Sequence, residues 1–175
     1  MHQDRPDFQI SFNNKNIGIE HTQAIPEQLA KALAILDKCF PDTAIIEPEF
    51  FNWDSPRRSK KEIKKIITES QIALHGNGYY GKSAEVSWIK RIKNCIEHKT
   101  KKLNNPKFKK YKENWLLIYD NQSSPSLDEK YVSEKLGIFL SRYCKNNGKI
   151  MFDKIFIEYG VDIFVIDYKA LPRIK

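Results

Sequence analysis

A lysine inside the apolar stripe of a long helix constrains this chain more than any other feature. Across Ser83 to Leu103, the residues Ile89, Ile92, Ile96, Lys99 and Leu103 recur at steps of three and four, the spacing of one buried helix face. Such a face needs a sheet to pack against. A lysine on it needs carboxylates or an anionic ligand waiting for it, because a buried ammonium without a partner is strongly disfavoured. Asp7 and Glu20, near the start of the chain, supply candidate carboxylates. By spacing alone, a stem lying on apolar surface with its ammonium turned out near the helix end fits Lys99 equally well.

The carboxylates belong to a hairpin. Phe8 to Phe12 and Ile17 to Thr22 alternate apolar and polar residues, and Asn13-Asn14-Lys15-Asn16 between them is turn chemistry. A turn centred on Asn14-Lys15 sets Phe12 opposite Ile17, Ile10 opposite Ile19 and Phe8 opposite His21, one continuous apolar face that fixes the register. The other face then carries Asp7, Gln9, Ser11, Gly18, Glu20 and Thr22, with Gly18 opposite Ser11 leaving space above the sheet. Asp7 falls opposite Thr22 and diagonal to Glu20, and diagonal neighbours lie about 7 to 8 Å apart, within joint reach of one hard divalent cation. Spacing by itself favours the wet side of an amphipathic hairpin; the need of the Lys99 helix for a sheet to pack against, and the space above Gly18, favour the site.

The remainder reads as alternating helices and strands. Pro26 with Leu29, Leu33 and Leu36 marks a helix ending before Pro41, and Ala44 to Phe51 is strand-like, confined to an edge by Pro48. Ser59 and Glu62 form a capping box for a helix burying Ile63, Ile66, Ile67 and Leu74 behind a basic outer face. His75 to Lys82 is a glycine-rich loop, and Asn104 to Lys112 a lysine-rich connection. Trp115 to Tyr119 suggests a central strand covered on both faces. Ser126 and Glu129 form a second capping box, for a helix turning Val132, Leu136, Phe139, Leu140 and Tyr143 inward. Ile155 to Tyr159 and Ile163 to Tyr168 pair around Gly160. The expected order is ββ-α-β-α-α-β-α-ββ, an α/β fold with helices packed on one sheet, in a single domain over 1–175.

Charge and cysteines bound the setting. With 30 Lys and Arg against 22 Asp and Glu, a net charge of +8 favours a polyanionic partner. Cys39, Cys95 and Cys144 are far apart and lack metal-ligand spacing, so they read as reduced thiols of a cytoplasmic protein. The opening residues hold no apolar leader, and the longest apolar run is too short for a bilayer, so no membrane association is expected.

Pro6-Asp7, the strand after it, and Ile17-Gly18-Ile19-Glu20-His21-Thr22 together resemble the PD-(D/E)xK superfamily of restriction-endonuclease-like nucleases. The resemblance runs through Ile96-Glu97-His98-Lys99-Thr100-Lys101-Lys102-Leu103 to the strand Asn114 to Asp120. It implies a restriction-endonuclease-like central mixed sheet flanked by helices, and metal-dependent hydrolysis of phosphodiester bonds. It also implies Asp7 and Glu20 as ligands of Mg²⁺ or Mn²⁺, with the main-chain carbonyl of His21 as a third. The superfamily lysine falls on Thr22, which supplies no cation, and Lys99 on the following helix is the replacement that the similarity suggests. The catalytic set is then Asp7, Glu20 and Lys99. Only six residues precede Asp7, so the helix that usually comes before the aspartate is missing, or belongs to a longer chain of which this is a fragment, or is replaced by a later helix.

The implied substrate is nucleic acid, DNA ahead of RNA, and a homodimer is left open. Candidate contacts to it are Arg57, Arg58, Lys60, Lys82 and Lys102 for phosphates, and Tyr79 and Tyr80 for stacking. Read without the resemblance, the same residues are a solvated helix face and a loop with two packed tyrosines, and Lys102 sits at the edge of its stripe where solvation is the default. Two readings compete with the nuclease: a catalytically inactive module of the same fold that binds nucleic acid or a protein, and an unrelated α/β domain whose hairpin imitates the motif.

Overall fold

The computed structural model describes residues 4–40, 46, 48–53, 55–70, 80–120, 122, 126–147 and 151–167. In chain order the elements are β1 (Phe8–Phe12), β2 (Lys15–Gln23), α1 (Glu27–Cys39), α2 (Lys60–Ser70), α3 (Ser83–Leu103), β3 (Glu113–Asp120), α4 (Glu129–Asn147), β4 (Lys154–Tyr159) and β5 (Asp162–Asp167). A short 3-10 turn, Pro48–Phe51, lies between α1 and α2. The chain divides into two compact units, one of Met1–Ala24 with Lys82–Lys175 and one of Ile25–Gly81.

The first unit is an α/β fold built on a five-stranded mixed sheet in the order β1-β2-β3-β4-β5. The three central strands run parallel, and β1 and β5 pair antiparallel at the edges. β3 takes the centre, but its burial alternates: Asn114, Leu116, Ile118 and Asp120 are buried while Trp115, Leu117 and Tyr119 are half-buried. The expectation of a strand fully covered on both faces is therefore corrected. On the second face, Trp115 packs against the Phe156 ring at 5.3 Å and the Lys154 ammonium lies over it, leaving aromatic edges in contact with solvent.

The covered face belongs to α3. Its apolar stripe sets Trp88, Ile92, Ile96 and Leu103 among the fully buried side chains, alongside Leu116, Ile118, Ile155 and Ile157 of the sheet. Trp88 meets the rings of Tyr159 and Phe164 at 6.0 and 5.6 Å. α4 buries Val132, Leu136 and Leu140, whereas Phe139 and Tyr143, expected inward, are only half-buried. Its cap is Asp128, whose Oδ1 accepts the Tyr131 N–H at 3.0 Å, rather than Ser126, because Asp128 immediately precedes the first helical residue.

The hairpin register departs from expectation by two residues: Phe8 pairs with Ile19, Ile10 with Ile17 and Phe12 with Lys15. Asn13 and Asn14 hold the turn with φ of 47° and 58°. Two positive φ values in a two-residue loop are the primed geometry that matches strand twist, and asparagine tolerates it better than lysine would. An even shift leaves every side chain on its expected face. Gly18 now opposes Gln9 instead of Ser11, and the expected space above it is filled, since a Cβ there would lie 2.7 Å from Tyr111 and 3.1 Å from Pro6. The apolar side chains of β1, Phe8, Ile10 and Phe12, are exposed. Among the described residues, no helix is long and apolar enough to cross a membrane.

The second unit packs α1, the 3-10 turn and α2 around Leu29, Ala32, Ile46, Phe51, Ile63 and Ile67. Leu33 is exposed rather than inward, with Ala32 in the core instead. The strand expected over Ala44 to Phe51 is, where described, the 3-10 turn, as a proline lacking an N–H favours; positions 44, 45 and 47 lie outside the described residues, as does Leu74. The Ser59 capping box forms as its spacing requires, with Ser59 N–H and Oγ–H both donating to Glu62 Oε2 at 2.7 and 2.6 Å, and Glu62 N–H returning to Ser59 Oγ at 3.3 Å.

Candidate active site

β2 builds the site by offering one edge and one face. Its odd-numbered residues Ile17 and Ile19 pair with β1, so the main-chain groups of His21 project from the same edge, beyond the end of β1. The carboxylate of Asp7 fills that vacancy: its Oδ2 accepts the His21 N–H at 2.7 Å. One further step of the observed ladder sets Asp7 level with Glu20 rather than with Thr22. Glu20 itself faces α3 and is 1% exposed.

Two lysines of α3 neutralise it. Lys99 donates to Glu20 Oε2 at 2.7 Å and stands 3.5 Å from Asp7 Oδ2, with 12% of its side chain exposed. Its ammonium is therefore turned to the carboxylates and not to solvent. Lys102 donates to Glu20 Oε1 at 2.9 Å and Oε2 at 3.1 Å, and lies 3.6 Å from Asp4. Asp4 is fixed by a β-bridge to Phe108, with Lys109 N–H donating to its carbonyl at 2.8 Å. The expectation that Lys102 is solvated is corrected: it completes the ion cluster. One helical step of three from Lys99 is the signal that marks it. Asp4 carries no such signal, since only the bridge to Phe108 brings it near.

Electrostatics follow the contacts. Burial pushes the Asp7 carboxyl up, but the His21 N–H and then the Lys99 and Lys102 charges outweigh it and hold its pKa below the usual carboxylate value. Burial likewise opposes the charge on Lys102, yet the bond to Glu20 and the nearby carboxylates hold its pKa above that of an ordinary lysine. Behind the site, Arg91 pairs with the buried Asp120 at 2.9 Å. Cys95 donates to the Gln23 carbonyl at 3.7 Å, and burial pushes its thiol up to about 12.

Lys82 pairs with Asp128 at 2.7 Å and Glu85 at 3.5 Å. Tyr80 is 81% exposed, and Tyr79 lies outside the described residues. Arg57, Arg58 and Lys60 belong to the second unit. There the Arg58 guanidinium donates to the Phe50 carbonyl and lies over the Phe51 ring.

A divalent ion here would be held by oxygen alone. Among the described residues there is no group of three or more His, Cys, Asp or Glu side chains suited to a metal, so Asp7 and Glu20 offer two carboxylates and the His21 carbonyl the third donor. That set fits Mg²⁺, which keeps several waters and takes one or two carboxylates. It fits on one condition: Lys102 must release at least one Glu20 oxygen, since both already accept ammonium protons. No family model matches the chain, and no curated protein or solved structure matches it significantly.

Proposed function

We propose that this chain is a nuclease that hydrolyses phosphodiester bonds in nucleic acid, DNA ahead of RNA, using Mg²⁺ or Mn²⁺ held by Asp7, Glu20 and the main-chain carbonyl of His21. One observation carries the reading: the Lys99 ammonium stands 2.7 Å from Glu20 and 3.5 Å from Asp7, on the strand face where Thr22 supplies no cation. The bound ion would polarise a phosphoryl oxygen and lower the pKa of a water. Asp7 is held in place by the His21 N–H and Glu20 is oriented by two ammonium ions, so the rearrangement that a bound ion would ask of the pair is the release of one Glu20 oxygen by Lys102. Lys99 is the donor that would orient the attacking water and stabilise the charge developing on the phosphorane oxygens. The +8 charge of the chain would draw a polyanion in, with an affinity that falls steeply with salt.

A second reading rests on an observation of its own. Lys99 and Lys102 already balance Asp7 and Glu20, so the cluster is closed without a metal and also suits a module that binds without cutting. Incubation with supercoiled plasmid separates the two. The nuclease reading expects nicking with Mg²⁺ or Mn²⁺ that EDTA stops, and losses of about 10² to 10³-fold in Asp7→Ala, Glu20→Ala and Lys99→Ala. Nicking untouched by all three substitutions would refute the site. No nicking with either metal, together with retained binding of the plasmid, would establish the second reading.

A further inference from the structure

We infer that the groove between α3 and α4 is a binding site for single-stranded nucleic acid, separate from the Asp7–Glu20–Lys99 cluster. The two helices are tied at their starts by the Asp128 N–H, which donates to Glu85 Oε1 at 3.2 Å. Between them runs a groove of about 660 Å³. Its walls carry Lys90, Lys93, Lys135 and Arg142 and, among the described lining residues, no carboxylate, over an apolar floor that includes Ile89 and Phe139. The groove uses the opposite flank of α3 from the ion cluster: at 100° per residue, Val86, Lys90 and Lys93 turn away from the side that carries Cys95, Lys99 and Lys102.

Charge alone would suit any polyanion; the aromatics narrow the choice. Phe139 and Tyr143 lie one helical turn apart on α4 with ring centroids at 5.4 Å, and Tyr131 lines the same groove two turns earlier. Lys93 sits over Phe139 at 5.1 Å and Lys135 over Tyr131 at 5.3 Å, so cations and ring faces alternate along the walls. A cationic groove interleaved with aromatic rings is the arrangement that seats a single strand, whose phosphates meet the cations while unpaired bases stack on the rings. Duplex DNA keeps its base faces stacked away and uses only the charge. From Tyr131 to Tyr143 the helix rises about 18 Å, room for about five stacked nucleotides. Glu134 touches Lys135 at 3.9 Å, but an exposed pair of that length holds the lysine weakly.

The groove reading stands apart from hydrolysis, because binding is measured with EDTA present. The full chain is titrated against a labelled 15-nucleotide single strand, as DNA and as RNA, and against the matched duplex, by fluorescence anisotropy at several salt concentrations. Single strands should bind at least tenfold more tightly than duplex. The Lys93→Gln/Lys135→Gln/Arg142→Gln variant should lose at least tenfold in affinity and flatten the log–log salt slope by about 2, the release expected for three phosphate contacts. Tyr143→Leu should weaken single-strand binding severalfold and leave the slope unchanged. On the unmodified protein, photocrosslinking of a bromouracil strand should label α4 peptides containing Tyr131 or Tyr143. Equal binding of duplex, an unchanged triple variant, crosslinks confined to other segments, or equal displacement of the strand by polyglutamate would each overturn the inference.

Discussion

Removing Lys99 and Lys102 singly and together asks whether the site is one electrostatic unit. Glu20, 1% exposed, accepts from Lys99 at 2.7 Å and from Lys102 at 2.9 and 3.1 Å. Lys99→Met keeps the stem and leaves Glu20 with both Lys102 bonds; Lys102→Met leaves it with Lys99. Each single change removes one of the two cations that bond Glu20 and also relieves the desolvation of that ammonium, a net cost of about 1 kcal/mol. The double change strands a buried carboxylate with no cation, a situation that costs about 3 to 5 kcal/mol. The pair should therefore exceed the sum of its parts by about 1 to 3 kcal/mol. Native-state hydrogen exchange of the β2 and β3 amides measures this in the unit that holds the site. Adding Glu20→Gln to the double variant should recover most of the loss, since a neutral amide needs no counter-charge. Additivity within about 0.5 kcal/mol, or no recovery with Glu20→Gln, would refute the picture of a shared buried charge.

Three further outcomes are expected. Lys102→Met should tighten Mn²⁺ binding, followed by electron paramagnetic resonance, about tenfold, because it frees a Glu20 oxygen and removes a competing cation; unchanged or weaker binding would place the ion elsewhere. The Ser59 bonds hold the Glu62 carboxyl below its ordinary 4.5, so the stability they confer is full above pH 4.5 and is lost as pH falls through the lower folded value. The melting-temperature gap between the native chain and Ser59→Ala should then be wide at pH 7 and shrink progressively as the pH falls below 4.5. Cys95, with its thiol pushed up to about 12, should resist iodoacetamide at pH 8 until the protein is unfolded, as peptide mass spectrometry would record.

What was legible in the sequence followed from periods, and what was not depended on the tertiary path of the chain. The α3 stripe and the Ser59 capping box each obey a spacing rule, and both stand where their spacing puts them. Asp4 reaches the cluster only through its bridge to Phe108, a pairing between distant segments that no local pattern announces. The groove of α4 was hidden for a related reason. Phe139 and Tyr143 have the spacing of core residues, and only the course of α3 decides that they line a groove instead.

The hairpin shows why a register displaced by two residues leaves Asp7 and Glu20 on one face. The turn fell on Asn13-Asn14 rather than Asn14-Lys15, moving the pairing by two residues. A shift of one residue in this pairing would turn Asp7 to the opposite face from Glu20 and break its link to Lys99; a shift of two keeps its face and changes only its neighbour across the strands. That change brings Asp7 level with Glu20 instead of Thr22, so both carboxylates reach one ammonium. A single-residue insertion between Phe12 and Lys15 therefore tests the geometry more severely than substitution of either carboxylate. If the strand keeps its pairing, a three-residue turn absorbs the insertion and the cluster survives. If the register slips by one, Asp7 loses Lys99, and the stability shared by Glu20, Lys99 and Lys102 should separate from any contribution of Asp7 in the same hydrogen-exchange measurement.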